Sequence, residues 1–337
     1  MSHPTILATG AFVPDRVVTN AELSASLGED IDDFVSQTLG IRERRWCGPD
    51  ESAADLAEGA ALRALEAAGL ARADMDLLVV STDTPEYVSP ATASVLHGRL
   101  GLRYDAGAFD VNAACAGFVV ALDLAAKYLR ADPRLRRILV VAVYAMTKYV
   151  DPTDKKTVTI FADGAGAVVV GRGSIPGILA SEFRADGSLS DGLGVFAGAT
   201  AEPITPEVLA SGTRNRLRFV RKYPPEVNLE GWPRLVRDLL APLDRRVDQV
   251  DLWLWTQVNL STIRLVMEAL GEPMEKAHTV MGEWGYTGSA CLPMALDSAV
   301  RAGRLAPGDL VVLTGSGAGL AMGSVALIWN PEEMGPP

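Results

Sequence analysis

Two stretches of the chain repeat one another, and that repeat constrains the fold more than any single motif. Ala114-Cys115, followed by Ala121-Leu122-Asp123 and Ile138-Leu139-Val140-Val141, is echoed by Ala290-Cys291, Ala295-Leu296-Asp297 and Leu310-Val311-Val312-Leu313. Likewise, Phe161-Ala162-Asp163-Gly164-Ala165-Gly166-Ala167 precedes one apolar strand pattern and Ser316-Gly317-Ala318-Gly319 precedes another. A duplication into two halves, residues 1–172 and 173–337, explains this most economically. Superposing the Ala-Leu-Asp triplets sets Ser289, not Cys291, opposite Cys115, so Cys291 reads as a packing residue.

Apolar runs from Asp76 to Ser81, Ile138 to Val143, Ala167 to Val170 and Leu310 to Leu313 read as buried strands. Helical patterns from Ala53 to Ala68 and Leu292 to Arg301 lie between them, so the fold class is α/β with mostly buried sheets. Ser52 reads as a helix N-cap and Gly69 as a stop. With 337 residues, 48% of them hydrophobic, the chain is long enough for an extensive core.

Cys115 sits where the strand-like Asp110-Val111-Asn112 hands over to the helical pattern Phe118, Val119, Leu122, Leu124, Ala125, Tyr128, Leu129. That places the sulfur in a first helical turn, where the macrodipole favours thiolate, the reactive form. Ala113, Ala114, Ala116 and Gly117 leave room for a substrate to reach it. The alternative is a small buried hydrophobe, as most free cysteines are.

Three cysteines, Cys47, Cys115 and Cys291, at no metal-ligand spacing argue against a disulfide framework and a zinc site, and point to a reducing cytoplasm. The start Met1-Ser2-His3-Pro4-Thr5-Ile6 has no basic region before a long apolar run, so no signal peptide is expected. No later stretch reaches the roughly 18 apolar residues of a membrane span. A formal charge of −11 disfavours a nucleic-acid partner. Against it stands a basic run of Arg214, Arg216, Arg218, Arg221 and Lys222, with Leu217 and Phe219 interleaved. It is either a solvated face or a landing site for an acidic carrier protein or a nucleotide-bearing thioester.

Gly164-Ala165-Gly166 and Gly315 to Gly319 do not form Gly-x-Gly-x-x-Gly between a strand and a helix, so a dinucleotide loop is weakly supported. The second cluster can instead bring backbone N–H groups to a developing oxyanion.

Thr38-Leu39-Gly40-Ile41-Arg42-Glu43-Arg44, the Cys115 element, Phe161 to Ala167 and Gly315 to Ser324, in this order, resemble the ketoacyl-acyl-carrier-protein synthase III branch of the thiolase-like superfamily. The likeness runs from Ile6 to Trp329. It implies a five-layered αβαβα sandwich of two thiolase-like halves, a homodimer and no bound cofactor. It also implies that Cys115 takes an acyl group from acyl-coenzyme A or an acyl carrier protein, with the Cys115 and Ala318 N–H groups as oxyanion hole.

Two departures from the family pattern matter. The His-Gln-Ala-Asn segment here reads Thr256-Gln257-Val258-Asn259, and the His-Gly-Asn-Thr segment reads Trp284-Gly285-Tyr286-Thr287. The catalytic histidine and asparagine positions are therefore Thr256 and Tyr286. Each can donate one hydrogen bond, but neither is a good base at neutral pH. Dropping one oxyanion donor typically costs ~10²–10³ in rate. Of three histidines, His3 is terminal, His97 lies in the helical stretch Thr92 to Leu100, and His278 begins a strand-like His278-Thr279-Val280-Met281, offset from the family's position.

Related branches use a glutamate from the loop corresponding to Asp83-Thr84-Pro85-Glu86-Tyr87, making Glu86 and Asp83 candidate bases; the alternative is a solvated turn around Pro85. By the same resemblance Phe34 stacks on adenine, Lys155 pairs a phosphate, and Asn259 belongs to the substrate site. Ser261 replaces the carrier-docking arginine, and Ser89 replaces a bulky residue that shapes the acyl pocket near the dimer interface. Three readings follow: an acyl-thioester transferase or condensing enzyme working on Cys115 in fatty-acid-like or secondary-metabolite biosynthesis, a decarboxylating synthase with substituted donors, or a non-catalytic partner of an active paralogue.

Overall fold

The chain lays down β1 (His3–Phe12), α1 (Ala53–Ala67), β2 (Leu77–Ser81), α2 (Thr92–Leu100), β3 (Gly107–Val111), α3 (Gly117–Ala131), β4 (Arg137–Ala145) and β5 (Asp163–Gly173). It continues with β6 (Ile178–Ala185), α4 (Gly231–Leu240), β7 (Leu252–Trp255), α5 (Leu260–Leu270), α6 (Cys291–Arg301), β8 (Leu310–Gly317) and β9 (Ala321–Ile328). The structure, a computed structural model, describes residues 3–330, so Met1 and Ser2 of the N-terminal start lie outside the described residues.

The first sheet has the order β1-β5-β4-β2-β3, with β4, β2 and β3 parallel. The second has the order β7-β8-β9-β6, with β7 and β8 parallel. Helices α1 and α2 cover the outer face of the first sheet and α4 that of the second, while α3 and α6 pack between the sheets. This is the five-layered αβαβα sandwich. The middle layer is largely apolar, as a helix packed between two sheets must be: Phe118, Val119, Leu122, Ala125 and Leu129 of α3, and Leu292, Ala295, Leu296 and Ala299 of α6, are all buried.

The two halves lock into each other through these helices. Asp123 of α3 accepts from Ser181 of β6 at 2.5 Å and Lys127 at 2.7 Å. Asp297 of α6 accepts from Thr9 of β1 at 2.7 Å and Arg301 at 2.7 Å. Each central helix thus holds the first strand of the opposite half. The repeated Ala-Leu-Asp triplet supplies both carboxylates.

The helix patterns fall where periodicity places them, and Ser52 and Asp55 form a capping box at the start of α1. Two local expectations change. His278 to Met281 is not a strand: a bridge at Ala277 against Trp253 ends it, and a helical turn begins at Met281. Cys115 does not lie within the α-helix but in a 3₁₀ turn, Ala114–Ala116, immediately before α3.

Replacing Asp123 or Asp297 by Ala should lower the unfolding free energy by about 2–3 kcal/mol each, the usual cost of losing hydrogen bonds to a buried charge, read from urea midpoints. A loss below about 0.5 kcal/mol in both would show that the cross-half ties are incidental.

Candidate active site

The parallel strands β2, β3 and β4 point the same way, so the segments after them converge at one end of the sheet, where open α/β sheets place ligands. After β3 the chain reverses sharply at Ala114, whose φ of 46° is left-handed and costs an alanine about 1–2 kcal/mol. The Asn112 side chain accepts from the Ala114 N–H at 3.0 Å and holds the reversal. Cys115 is thereby presented to the middle of the molecule. It borders a cavity of about 390 Å³.

The glycines of β8 make that approach possible. A Cβ at Gly317 would stand 2.4 Å from the Cys115 backbone nitrogen, and one at Gly315 would stand 3.1 Å from Ala116 Cα. Only a bare backbone fits against the cysteine turn. Ala318, the next residue, lines the cavity with Cys115.

Tyr286 is brought in by its own glycine. Gly285, at φ 70°, passes so close to Arg44 and Ala162 that a Cβ would stand 2.5 and 2.8 Å from their Cβ atoms. Tyr286 then pairs with the strand before β5, its N–H donating to Ile160 O at 3.0 Å and its carbonyl accepting from Ala162 at 2.9 Å. Its ring lies 5.6 Å from Phe161 and 6.4 Å from Tyr144, and its hydroxyl acts on the Cys115 sulfur in the direction that favours the thiolate.

The thiolate expected from the helix terminus is not the resting form. Burial pushes the Cys115 thiol well above its ordinary range, Asp83 pushes it further, and only the Tyr286 hydrogen bond among the larger effects acts the other way. Desolvation outweighs the favourable end of a short turn, and Cys115 rests as a neutral thiol.

Of the two candidate bases, Glu86 is placed elsewhere. Its carboxylate accepts from the Ala54 N–H at 2.8 Å, capping α1, where the macrodipole favours an anion. Asp83 stands just after β2, between Thr82 and Thr84, and its Oδ1 is sealed from solvent without a hydrogen-bond partner. Burial raises its carboxyl to about 6, and its charge reaches Cys115, Tyr144 and Tyr149.

The remaining expected positions separate. Thr256 is buried, and its hydroxyl accepts from the Ser316 N–H at 2.9 Å, so it bonds the β8 backbone and does not line the cavity. The Asn259 carbonyl oxygen caps α5, accepting from Ser261 N–H at 2.9 Å, so that oxygen is a helix cap and not a substrate contact. Ser89 is exposed and lies outside the cavity lining, so it shapes no acyl pocket within this chain. Phe34 is 55% exposed, and Lys155 pairs with Glu29 at 2.5 Å on the surface. His278 is held neutral, its pKa lowered to about 4 by burial and then by Arg304. Cys291 is buried at the start of α6, while Ser289 occupies the second 3₁₀ turn, Gly288–Ala290, opposite Cys115 in the repeat.

Asp163 of the Phe161-to-Ala167 motif ties the fold instead of facing the cavity: it accepts from Cys47 N–H at 2.7 Å and from both the N–H and hydroxyl of Thr147. In the basic run, Arg214 pairs with Glu202 and Arg221 with Asp191, while Phe219 turns into the cavity. Tyr223, Pro224, Pro225, Val227 and Asn228 complete a wall that no motif marked. The signal was Tyr-Pro-Pro, a stiff apolar segment after a charged run. Asn228 carries no such signal; it accepts from the Ser316 hydroxyl at 2.9 Å.

The family described as 3-oxoacyl-[acyl-carrier-protein] synthase III matches residues 109–187, and its C-terminal counterpart matches residues 240–329. The chain is 37% identical over 332 residues to the β-ketoacyl-[acyl-carrier-protein] synthase III of Alkalilimnicola ehrlichii, covering 97% of this chain and 99% of that one. Among solved structures, the 3-oxoacyl-[acyl-carrier-protein] synthase III of Aquifex aeolicus superposes with a TM-score of 0.86 at 30% identity, covering 97% of this chain and 100% of that one. The priming β-ketosynthase of a polyketide biosynthetic pathway gives 0.89 at 31% identity, covering 97% and 96%.

Tyr286→Phe keeps the ring and removes the donor to the sulfur. Charge-assisted hydrogen bonds are worth about 1.5–3 kcal/mol, so alkylation of Cys115 by iodoacetamide at fixed pH should slow roughly 10- to 100-fold. An unchanged rate would show that the hydroxyl does not support the thiolate.

Proposed function

Since the chain belongs to the 3-oxoacyl-[acyl-carrier-protein] synthase III family of condensing acyltransferases, we propose that Cys115 takes an acyl group from a thioester and passes it to an acceptor without decarboxylation. One observation carries this reading: among the described residues, no Lys, Arg, His, Asp or Glu lines the cavity that Cys115 borders. A malonyl carboxylate would enter it without a counter-ion, and the enolate left by carbon dioxide would meet the Tyr286 hydroxyl as its one side-chain donor from the two altered positions. An acyl-enzyme needs less. An alcohol, an amine or an already activated carbon acid suits the cavity as acceptor.

Asp83 is the proton acceptor in this scheme. The Cys115 S–H proton passes to the Asp83 carboxylate as the sulfur attacks the thioester carbonyl, and the departing thiol takes the proton back. In the second half, the acceptor's proton passes to the departing Cys115 sulfur as the new bond forms and the Cys115–acyl bond breaks, which restores the thiol. The Cys115 and Ala318 N–H groups hold the oxyanion. This assignment rests on a carboxylate whose charge reaches the thiol and whose Oδ1 has no hydrogen-bond partner.

The donor is acyl-coenzyme A or an acyl carrier protein, with Phe34 and Lys155 meeting the nucleotide. The protein works in the cytoplasm as a homodimer. Edge strand β3 and the exposed Tyr87 and Val88 support the pairing, and among the described residues no helix is long and apolar enough to cross a membrane.

Acyl transfer from Cys115 should proceed while malonyl thioester releases no carbon dioxide above the uncatalysed rate; enzyme-dependent release would favour the decarboxylating alternative. The Cys115 acylation rate should rise about tenfold per pH unit up to about 6, as Asp83 ionises, and then level. In Asp83→Asn that limb should vanish and the rate fall. The stability effect has the opposite sign. A carboxyl raised to about 6 costs the folded state stability as pH climbs from about 4 to about 6, so Asp83→Asn should stabilise the protein at pH 7, by on the order of 2–3 kcal/mol. A variant that is both less stable and equally active would remove Asp83 from the scheme.

A further inference from the structure

The cavity at Cys115 shares two of its walls with a second groove. That groove, about 490 Å³, is bounded by Val227 and Leu320 on the side of the sulfur and continues over Gly231, Leu235 and Met322. Leu235 and Met322 are buried core residues, so the floor is apolar. Gly231 keeps it open: a Cβ there would crowd Met322 at 3.1 Å from Cε. Charges sit around it. Arg184, Glu226, Glu230 and Arg234 also border the groove, and Arg184 is already paired with Asp238 at 2.9 Å.

The two residues that line both spaces, Val227 and Leu320, are aliphatic. The backbones that carry them are pinned: Leu320 exchanges hydrogen bonds with Asp186 at 2.9 and 3.0 Å, and the Val227 N–H donates to Pro224 O at 3.1 Å. The side chains themselves are half-buried and make no polar contact that would fix a rotamer. Shortening either side chain would widen the passage between the groove's apolar floor and the cavity without moving the main chain.

We propose that Val227 and Leu320 form the barrier that sets the length of the acyl group carried on Cys115, and that the groove behind them receives the distal methylenes of longer chains. This rests on the reading of Cys115 as the acylated residue. The occupant follows from continuity: the groove adjoins the thioester cavity through apolar walls, and its floor offers no uncompensated charge to a headgroup. Neither residue touches the reacting atoms, so the effect belongs to chain-length selection and not to the chemical step.

The test is the rate of Cys115 acylation, by intact-protein mass, for a series of straight-chain acyl-coenzyme A donors, expressed as the long-to-short ratio within each protein. Leu320→Ala and Val227→Ala should each raise that ratio, by roughly 4-fold for every methylene newly buried in the groove. Met322→Trp in the Leu320→Ala background fills the groove and should return the ratio toward the wild-type value. Ratios unchanged in both alanine variants overturn the proposal, as does a gain that survives Met322→Trp. Two independent wall variants guard against one of them failing to fold. A wild-type protein that takes no acyl group from any donor fails earlier: it overturns the acyl-enzyme reading itself, and the barrier with it.

Discussion

Two helix starts meet in the middle of this protein, and space there is so short that backbone must touch backbone. The turn before α3 carries Cys115, and the turn before α6 carries Ser289, the matching position of the repeat. A side chain at Gly117 would stand 2.2 Å from Ser81 Oγ, and one at Gly288 would stand 2.3 Å from the Tyr144 ring. With Gly315 and Gly317 pressed on the cysteine turn, this junction is built almost wholly from small residues. The sandwich closes because of that. The same closeness desolvates the sulfur, and so sets the chemical problem the site must solve.

A thiol pushed upward by burial needs a partner to take its proton and another to support the anion. Thr256 and Tyr286, which the family resemblance sets at the two partner positions, behave unequally. Tyr286 reaches the sulfur with its hydroxyl, while Thr256 turns away to bond the β8 backbone. Asp83, whose charge reaches the sulfur, keeps one carboxylate oxygen sealed from solvent and unpartnered. An unpaired carboxylate in such a place is costly to the fold. Such a group whose charge reaches a nucleophile is what one expects where stability is given up for reactivity.

Much of the fold could be read from sequence because its determinants are local. The apolar spacing from Thr92 to Leu100 gave a helix with those bounds, and the Ala-Leu-Asp repeat anticipated both the two central helices and the register of Cys115 against Ser289. What escaped depends on partners far along the chain. Nothing near Glu86 announces that its carboxylate will cap a helix 32 residues earlier, and nothing near Thr256 announces Ser316, 60 residues on. Within the wall made by Tyr223 to Asn228, Tyr-Pro-Pro is marked only as a stiff apolar segment, and Asn228 joins it through Ser316 of β8. The protonation of Cys115 was misjudged because a helix terminus is a local feature, whereas burial is a property of the whole molecule.

The account stands on Cys115 as the atom that carries the acyl group. Peptide mapping by mass spectrometry after incubation with an acyl-coenzyme A donor reads this directly. We expect a single acyl adduct on the peptide containing Cys115, lost in Cys115→Ala and released when an acceptor is supplied. An adduct on Cys47 or Cys291 instead, or none at all, would contradict it.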